Sequence, residues 1–276
     1  MLGHTVVERF VDSAFDVHAT VRSRSLADRL PYAANLHDFD AARDDVAALL
    51  DAVRPATVVN CVGVIKQLEA ASNPLTTIRL NALFPHEVSA ACETAGARLV
   101  HISTDCVFSG RLPIGKAYVE EDEPDAHDLY GLTKRLGEVH APPALTLRTS
   151  IIGWELDRST GLLEWFASQD GGRVDGFTHA IFSGLTTRAL AGLIVTLTAE
   201  HPQLSGLYHV SSEPIDKHRL LGSLRDVLGL DIEIVPVKQP VINRALSSRR
   251  LRTATGLGAP SWEEMLGEYT RGTVDR

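Results

Sequence analysis

The sequence is poor in cysteine and methionine, and it has neither a basic excess nor a long apolar run. Its 276 residues include three cysteines and two methionines. An odd, sparse set of cysteines without metal-ligand spacing gives no disulfide framework and no metal site, and it is typical of a reducing compartment. We read Cys61 and Cys106 as small buried side chains. These absences predict a cytoplasmic protein without a bound metal.

Charge and hydropathy exclude two further classes of partner. The net charge is -8, from 27 Lys and Arg against 35 Asp and Glu, so general binding to nucleic acid is not expected. The longest apolar stretch, 189–197, is shorter than the roughly 20 residues of a membrane-spanning helix. No charged region followed by an apolar one marks a secretory signal at the N-terminus. We therefore expect no nucleic acid and no membrane as a partner.

What the sequence does contain is an alternation of strand and helix patterns. In the first half the predicted strands are 15–21, 57–62, 98–102 and 145–150, and the predicted helices are 5–11, 41–53, 85–95 and one around Tyr130. The second half is less regular, with helices predicted at 159–168, 187–199, 217–228 and from 262, and extended segments at 174–183, 206–211 and 232–237. This rhythm predicts an α/β fold with a Rossmann-like, doubly wound parallel sheet. We assign residues 1–150 to a dinucleotide-binding domain and 151–276 mainly to a smaller substrate lobe, with segments around 174–212 returning to the sheet.

The opening of such a fold is not visible in the pattern. A doubly wound nucleotide-binding sheet usually begins with a strand and a glycine-rich turn, whereas this chain starts Met1-Leu2-Gly3-His4 and continues as a helix. Gly3 stands where the last glycine of the turn is expected. We expect the first strand and most of the glycine-rich loop to lie upstream, through a truncation or a misassigned start. The absent strand would be central, and the amides of the loop would bind a pyrophosphate.

Tyr130 and Lys134 are the most informative pair of residues. Four positions apart on a helix, they share one face. Ser103-Thr104-Asp105 ends a buried strand upstream, and ligands of parallel sheets bind outside the carboxyl ends of strands. A phenol has an ordinary pKa of about 10, and a nearby cation makes it a better proton donor. With a hydroxyl to hold a carbonyl and a hydride donor beside it, this set reduces a ketone or oxidises an alcohol. Alone, Tyr-x-x-x-Lys also occurs by chance on surface helices.

The end of the second predicted strand bears on the cofactor. The residues there are Val21-Arg22-Ser23-Arg24. An acidic residue would bind the ribose hydroxyls of NAD, whereas a guanidinium suits the 2′-phosphate of NADP. Arg22 therefore favours NADP over NAD. NAD stays open as the cofactor because Arg22 also fits a solvent-facing position.

Together these residues resemble the extended short-chain dehydrogenase/reductase superfamily and, within it, the dTDP-4-dehydrorhamnose reductase family of sugar-nucleotide reductases. The resemblance covers residues 3 to about 212, and its matching segments are 37–40, 54–63, 81–82, 103–110, 130–138, 147–150 and 206–210. It implies that Tyr130 donates the proton. Lys134 would lower the pKa of Tyr130 and bind the nicotinamide ribose. Thr104, with Ser103 and Asp105 beside it, would bind the substrate and orient its carbonyl.

The resemblance also implies a set of cofactor-binding residues. Asp38 and Phe39 match the positions that meet the adenine. Cys61, Val62 and Gly63 match the strand end that lies along the cofactor, and Asn81 matches a buried asparagine at a helix start. A purely structural role explains Phe39 and Asn81 equally well. With Gly3, Arg22, Tyr130 and Lys134, these residues form the predicted cofactor site.

The implied activity is NADPH-dependent reduction of a nucleotide-linked 4-keto-6-deoxy sugar, above all dTDP-4-dehydro-L-rhamnose, for polysaccharide biosynthesis. Two segments depart from the family: Ile151 stands where Trp is frequent, and 181–187 lacks the family's glutamine and proline. Both face the sugar nucleotide in the family, so the sugar and the base are left open, as is a homodimer. A nucleotide-sugar epimerase or dehydratase with bound NAD is one alternative, which Arg22 disfavours. A non-catalytic nucleotide-binding regulatory subunit is the other, and a mere binding module does not need the full Tyr, Lys and Thr set.

Overall fold

The computed structural model describes residues 1–28, 30, 35–65, 73–156 and 160–269. Its helices are α1 (Leu2–Val11), α2 (Arg24–Ala27), α3 (Val46–Val53), α4 (Pro74–Thr77), α5 (Phe84–Ala95), α6 (Leu129–Leu136), α7 (Leu162–Ala167), α8 (Thr187–Glu200), α9 (Lys217–Leu228), α10 (Arg249–Thr255) and α11 (Trp262–Gly267). Its strands are β1 (His18–Val21), β2 (Asn35–Asp38), β3 (Thr57–Asn60), β4 (Arg98–Thr104), β5 (Leu145–Thr149), β6 (Ile151–Ile152), β7 (Arg173–Phe177), β8 (Ala180–Phe182), β9 (Leu185–Thr186), β10 (Gly206–His209), β11 (Ile215–Asp216), β12 (Glu233–Val237) and β13 (Ile242–Asn243). A π-helical turn, Ile78–Leu83, joins α4 to α5.

The main sheet is parallel and has the order β10-β5-β4-β3, with a separate parallel pair β1-β2. The middle strands β4 and β5 are buried along nearly their whole length, as expected for strands covered by helices on both faces. This arrangement confirms the predicted Rossmann-like α/β fold. Among the described residues, no strand is hydrogen-bonded between β1 and β3. The expected first strand, which belongs at that position, stays a prediction.

Helix α1 covers the sheet with one apolar face. Leu2, Val6 and Phe10 recur every four residues, and all three are buried in a core cluster with side chains of β4, β5 and α8. The first turn of α1 lies at the carboxyl end of β3, since a Cβ on Gly3 would stand 3.8 Å from Cβ of Cys61. The helix therefore points its N-terminus at the edge of the sheet where the predicted site lies.

The second half of the chain adds three small sheets around a core of its own. Their orders are β11-β8-β13, β12-β7 and β6-β9. Of the stretch 174–212, only β10 pairs with the main sheet within the described residues, because β7 and β8 belong to the small sheets. A capping box between Ser261 and Glu264 begins α11, where a helix was predicted from 262. Strand β2 and helix α10 were not predicted. In the described part of the chain, no helix is long and apolar enough to cross a membrane.

Candidate active site

The predicted site residues stand at the carboxyl ends of parallel strands, in the main sheet and in the separate pair β1-β2. Arg22 follows β1, Asp38 ends β2, Cys61 follows β3 and Thr104 ends β4. In a doubly wound sheet this carboxyl edge is where ligands bind. Val21 is in register with Asp38, so Arg22 and Asp38 lie side by side on the first pair of strands. The site residues are therefore exposed and charged on the pair β1-β2, and buried at the end of β4.

Thr104 and Asp105 form a tight turn at the end of β4. The Thr104 hydroxyl accepts a hydrogen bond from the Cys106 backbone N–H at 3.1 Å and donates to Oδ1 of Asp105 at 3.3 Å. Thr104 is 7% exposed and Asp105 is 5% exposed. Burial raises the pKa of Asp105, although the positive charges of Arg244 and Lys217 oppose the shift. The turn presents one hydroxyl and one poorly hydrated carboxyl to the space beside α6.

Helix α6 is held directly against this turn. The Asp128 side chain caps it by accepting from the Gly131 N–H at 2.9 Å. A Cβ on Gly131 would collide with the carbonyl oxygen of Cys106, so glycine permits the close approach. Burial raises the pKa of Tyr130, and a hydrogen bond with the Thr104 hydroxyl opposes the shift. Helix α6 therefore brings Tyr130 beside the turn that follows Thr104.

Lys134 lies one turn further along the same helix and is 6% exposed. Its Nζ donates to the backbone carbonyl of Ile102 at 2.8 Å. Burial lowers the pKa of Lys134 to about 8, against the opposing effect of Glu138 and Cys61. The ammonium thus sits between the ends of β3 and β4. Since burial dominates at Tyr130, the lowering of its pKa by Lys134 stays a prediction.

Ser103 points away from Tyr130, into a buried ionic network. Its hydroxyl donates to Oε1 of Glu138 at 2.6 Å, and Arg148 donates to both oxygens of that carboxylate at 2.7 and 2.8 Å. Burial raises the pKa of Glu138, but the hydrogen bonds from Arg148, His140 and Ser103 outweigh it and lower the pKa to about 2. Ser103 thus supports the strand end, and Thr104 is the hydroxyl beside the phenol.

Two of the predicted cofactor residues have a clear structural role. The Asn81 side chain accepts from the Val64 N–H at 2.8 Å and donates to the Val64 carbonyl at 3.0 Å. It therefore fixes the loop after β3, which includes Gly63. Phe39 is buried in a core cluster with Phe84. Asn81 therefore supports the loop after β3, and Phe39 belongs to the core next to the end of β2.

The remaining predicted residues fit a nicotinamide dinucleotide. Arg22 offers an exposed guanidinium and Asp38 an exposed end-of-strand carboxylate, while the exposed Gly63 adds no side chain beyond the end of β3. A dinucleotide phosphate needs cations and close backbone approach, and this edge supplies both. Within the described ranges, no group of three or more His, Cys, Asp or Glu is arranged to hold a metal ion.

The sequence interpretation did not single out Glu138, Arg148, Lys217 or Arg244. A signal existed for the first two, because Arg148 interrupts an apolar strand and a buried arginine needs a carboxylate. Lys217 and Arg244 come from the second half of the chain, and their approach to Asp105 depends on tertiary contacts.

Comparison with known proteins agrees with this geometry. A family model described as RmlD substrate binding domain matches residues 1–273. The chain is 32% identical over 225 residues to the probable low-salt glycan biosynthesis reductase Agl14 of Haloferax volcanii, covering 77% of this chain and 72% of that protein. It is 28% identical to the dTDP-4-dehydrorhamnose reductase of Mycolicibacterium smegmatis, covering 79% and 70%. The crystal structure of dTDP-4-dehydrorhamnose reductase from Bacillus anthracis in complex with NADP has the same fold, with a TM-score of 0.76, 23% identity and coverage of 92% and 97%.

A Rossmann-like sheet with Thr104, Tyr130 and Lys134 at its carboxyl edge, together with relatives named dTDP-4-dehydrorhamnose reductase, defines an NAD(P)-dependent oxidoreductase. Within that class, the match over residues 1–273 shows that the chain belongs to the RmlD substrate-binding-domain family. The family predicted from the motifs is confirmed.

Proposed function

We propose that this chain reduces a nucleotide-linked 4-keto-6-deoxy sugar with NADPH in the cytoplasm, converting dTDP-4-dehydro-L-rhamnose to dTDP-L-rhamnose for polysaccharide assembly. The observation that carries the proposal is the placement of Tyr130 and Lys134 one helical turn apart on α6, which packs against the turn that follows Thr104. Relatives named as a glycan biosynthesis reductase and as dTDP-4-dehydrorhamnose reductases support this substrate class.

The chemistry divides between the cofactor and the protein. NADPH, when bound, supplies a hydride to the sugar ketone. Thr104 and Tyr130 hold the carbonyl oxygen with two hydroxyls, and the phenol of Tyr130 gives its proton to that oxygen as negative charge develops. The buried Lys134 ammonium stabilises the resulting phenolate and binds the nicotinamide ribose. Since Thr104 is fixed by the Cys106 N–H, its hydroxyl is oriented before substrate arrives.

The preference for NADP rests on the exposed end of the sheet. Arg22 is an exposed cation at the end of β1, where a 2′-phosphate gains a charge-assisted hydrogen bond. The two residues Asp38 and Gly63 complete the surface on which the dinucleotide lies. NADPH is therefore the proposed donor, with NADH as a weaker substitute.

The direct test follows NADPH oxidation with dTDP-4-dehydro-L-rhamnose and identifies the product by mass and NMR. The proposal expects turnover that Tyr130→Phe abolishes while NADPH binding persists. Interconversion of a UDP-sugar without net NADPH consumption would indicate an epimerase instead. Tight nucleotide binding without turnover of any keto sugar would indicate a regulatory subunit.

A second copy of the chain is the proposed protein partner. Leu75, Ile78 and Leu83 are exposed on the helical segment before α5, and Leu132 and Leu136 are exposed on α6, which packs against that segment. Several large apolar side chains exposed on two packed elements favour an interface. Light scattering measures the mass directly, and Leu136→Lys is expected to shift a dimer toward monomer.

A further inference from the structure

His101 is a fully buried histidine of β4, and the strands on both sides fix its position. It is 0% exposed. In the register of the main sheet it lies beside Asn60, the last residue of β3, and beside Thr146 of β5. Side chains at paired positions of neighbouring parallel strands point to the same face of the sheet. The three polar side chains therefore form a row across the sheet, at the level where β3 ends.

A hydrogen bond joins His101 to Asn60, and the other contact of Asn60 shows which atom donates. Oδ1 of Asn60 accepts from the Val62 N–H at 3.0 Å. The nitrogen of the same amide, Nδ2, lies 3.2 Å from Nδ1 of His101. Because Nδ2 can only donate, Nδ1 of His101 accepts, and the neutral imidazole carries its proton on Nε2. Burial and the charge of Lys134 lower the pKa of His101, which keeps the ring neutral.

The other ring nitrogen of His101 weakens the argument for a role in stability alone. Nε2 is buried, and in the part of the chain that the structure describes it has no hydrogen-bond partner. A buried N–H without a partner destabilises a fold, whereas an apolar pair at positions 60 and 101 would fill the same space without that cost. The hydrogen bond that His101 does form is with Asn60. The use of an imidazole at this position is therefore explained by what it does to the Asn60 amide.

The chain that follows β3 is attached to the fold at two points. Oδ1 of Asn60 holds the Val62 N–H, and the Asn81 amide holds the N–H and the carbonyl of Val64. Gly63 lies between these attachments and is exposed, so this short stretch presents backbone to a ligand. Each attachment removes conformational freedom from the stretch. The buried histidine acts on the first attachment, since its ring orients the amide that makes it.

A backbone that is ordered before a ligand arrives binds it more tightly, because no ordering cost is left to the binding step. Resting on the proposed function, in which the dinucleotide lies along the end of β3, we propose that His101 is a positioning residue for the cofactor. Its imidazole orients the Asn60 amide, and the amide holds Val62 and Gly63 ready for NADPH. Since His101 is fully buried, it acts on cofactor affinity through this chain of contacts and not on the reacting atoms.

Variants at position 101 separate the hydrogen bond from the packing. His101→Asn keeps an acceptor at the δ position, because Oδ1 of asparagine is bonded to Cγ as Nδ1 of histidine is. His101→Leu fills a similar space without an acceptor, and His101→Gln moves the amide one bond further out. Thr146→Val is the matched control, since it removes a buried hydrogen bond of the same row, from the Thr146 hydroxyl to the Val139 carbonyl at 2.6 Å, that does not involve Asn60.

For each variant of the full chain, fluorescence titration gives the affinity for NADPH, steady-state kinetics give kcat and KM for the keto sugar, and urea denaturation gives the midpoint of unfolding. We expect His101→Leu and His101→Gln to weaken NADPH binding by about 3- to 10-fold, as for the loss of one neutral hydrogen bond. The kcat at saturating NADPH and the KM for the sugar should not change. His101→Asn should recover most of the affinity. Thr146→Val should lower the urea midpoint and leave NADPH affinity unchanged.

A double-mutant cycle tests the route through Asn60. If His101 acts through that amide, His101→Leu should weaken NADPH binding no further in a chain that already carries Asn60→Leu. If a leucine variant fails to fold, the contrast between His101→Asn and His101→Gln carries the same test. Additive losses, or NADPH affinities that follow the urea midpoint in Thr146→Val as well, would give His101 a structural role and overturn the proposal.

Failure of this proposal is distinguishable from failure of the proposed function. Unchanged NADPH affinity in His101→Leu and His101→Gln, in an enzyme that still reduces the keto sugar, would overturn the role of His101 alone. An unmodified chain that does not bind NADPH would overturn that role together with the proposed function.

Discussion

The two ends of the site differ in how far their side chains are exposed to solvent. Around the end of β4, Thr104, Lys134 and Glu138 are buried. Thr104 and Lys134 form hydrogen bonds with backbone groups, and Glu138 accepts from the Arg148 side chain. At the ends of β1 and β2, Arg22 and Asp38 are exposed. Changes at the buried end are expected to affect both the proposed proton transfer and folding, because these side chains are hydrogen-bonded within the fold. Changes at the exposed end leave the fold alone, so cofactor choice is free to vary separately from the chemistry.

The largest effect is expected at the buried end, on turnover. Tyr130→Phe removes the proposed proton donor but keeps the ring, so kcat should fall by about 10²- to 10⁴-fold while NADPH binding and the unfolding midpoint change little. Steady-state rates with the keto sugar measure kcat, and fluorescence titration measures the affinity for NADPH. Tyr208→Phe, on β10, is the control and should retain activity. A Tyr130→Phe enzyme with near-normal kcat would remove Tyr130 from the mechanism.

The next largest effect concerns stability at the same end. Glu138→Ala leaves the Arg148 guanidinium buried without its carboxylate, and breaking such a pair costs about 3–5 kcal/mol. Glu123→Ala, which breaks the exposed pair with Arg135, should change the free energy of unfolding little. Urea denaturation of both variants measures the contrast. Equal losses would show that the buried network does not dominate the stability of this region.

A third effect is a pH dependence that belongs to the buried end. Burial lowers the pKa of His209 to about 4, with the Arg148 charge acting in the same direction. Below pH 6.5, the ordinary pKa of histidine, His209 is protonated in the unfolded chain but stays neutral in the folded chain. Stability is therefore lost as the pH falls from 6.5 toward 4. Between pH 7 and pH 5 this group alone should cost about 2 kcal/mol. The pKa of Glu138 is lowered from 4.5 to about 2, so the stabilisation that this carboxylate gives is lost only at lower pH, as the pH falls from 4.5 toward 2.

The pH effect is measured from urea midpoints at several pH values. His209→Gln should flatten the slope of stability against pH by about one proton, whereas His127→Gln, at an exposed position, should not. His101, which is also buried with a lowered pKa, keeps part of the slope in both variants. An unchanged slope in His209→Gln would assign the acid sensitivity to other groups.

Much of the buried end was predictable because its signals are local. The spacing of Tyr130 and Lys134 and the polar end of the strand at Thr104 fix those residues on one helix face and one sheet edge. The direction of Ser103 was not predicted, although successive strand residues face opposite sides and only one hydroxyl can accompany Tyr130. Strand β2 was missed because Asn35-Leu36-His37-Asp38 contains no β-branched residue. The approach of Lys217 to Asp105 joins residues more than a hundred positions apart, which no local pattern encodes.

The smallest expected effect tests the exposed end. Arg22→Ala removes an exposed cation at the end of β1, and because solvent screens such contacts the affinity for NADPH should fall by only about tenfold. Affinity for NADH, which lacks the 2′-phosphate, should stay the same, as should kcat at saturating cofactor and the free energy of unfolding. Arg43→Ala, at another exposed arginine, is the control and should alter neither affinity. Titrations of both cofactors at two salt concentrations measure the difference, since the Arg22 contribution should shrink as salt rises. Equal binding of NADPH and NADH by the unmodified chain would show that Arg22 does not recognise the 2′-phosphate. Cofactor preference would then not be set by the exposed residues at the end of β1.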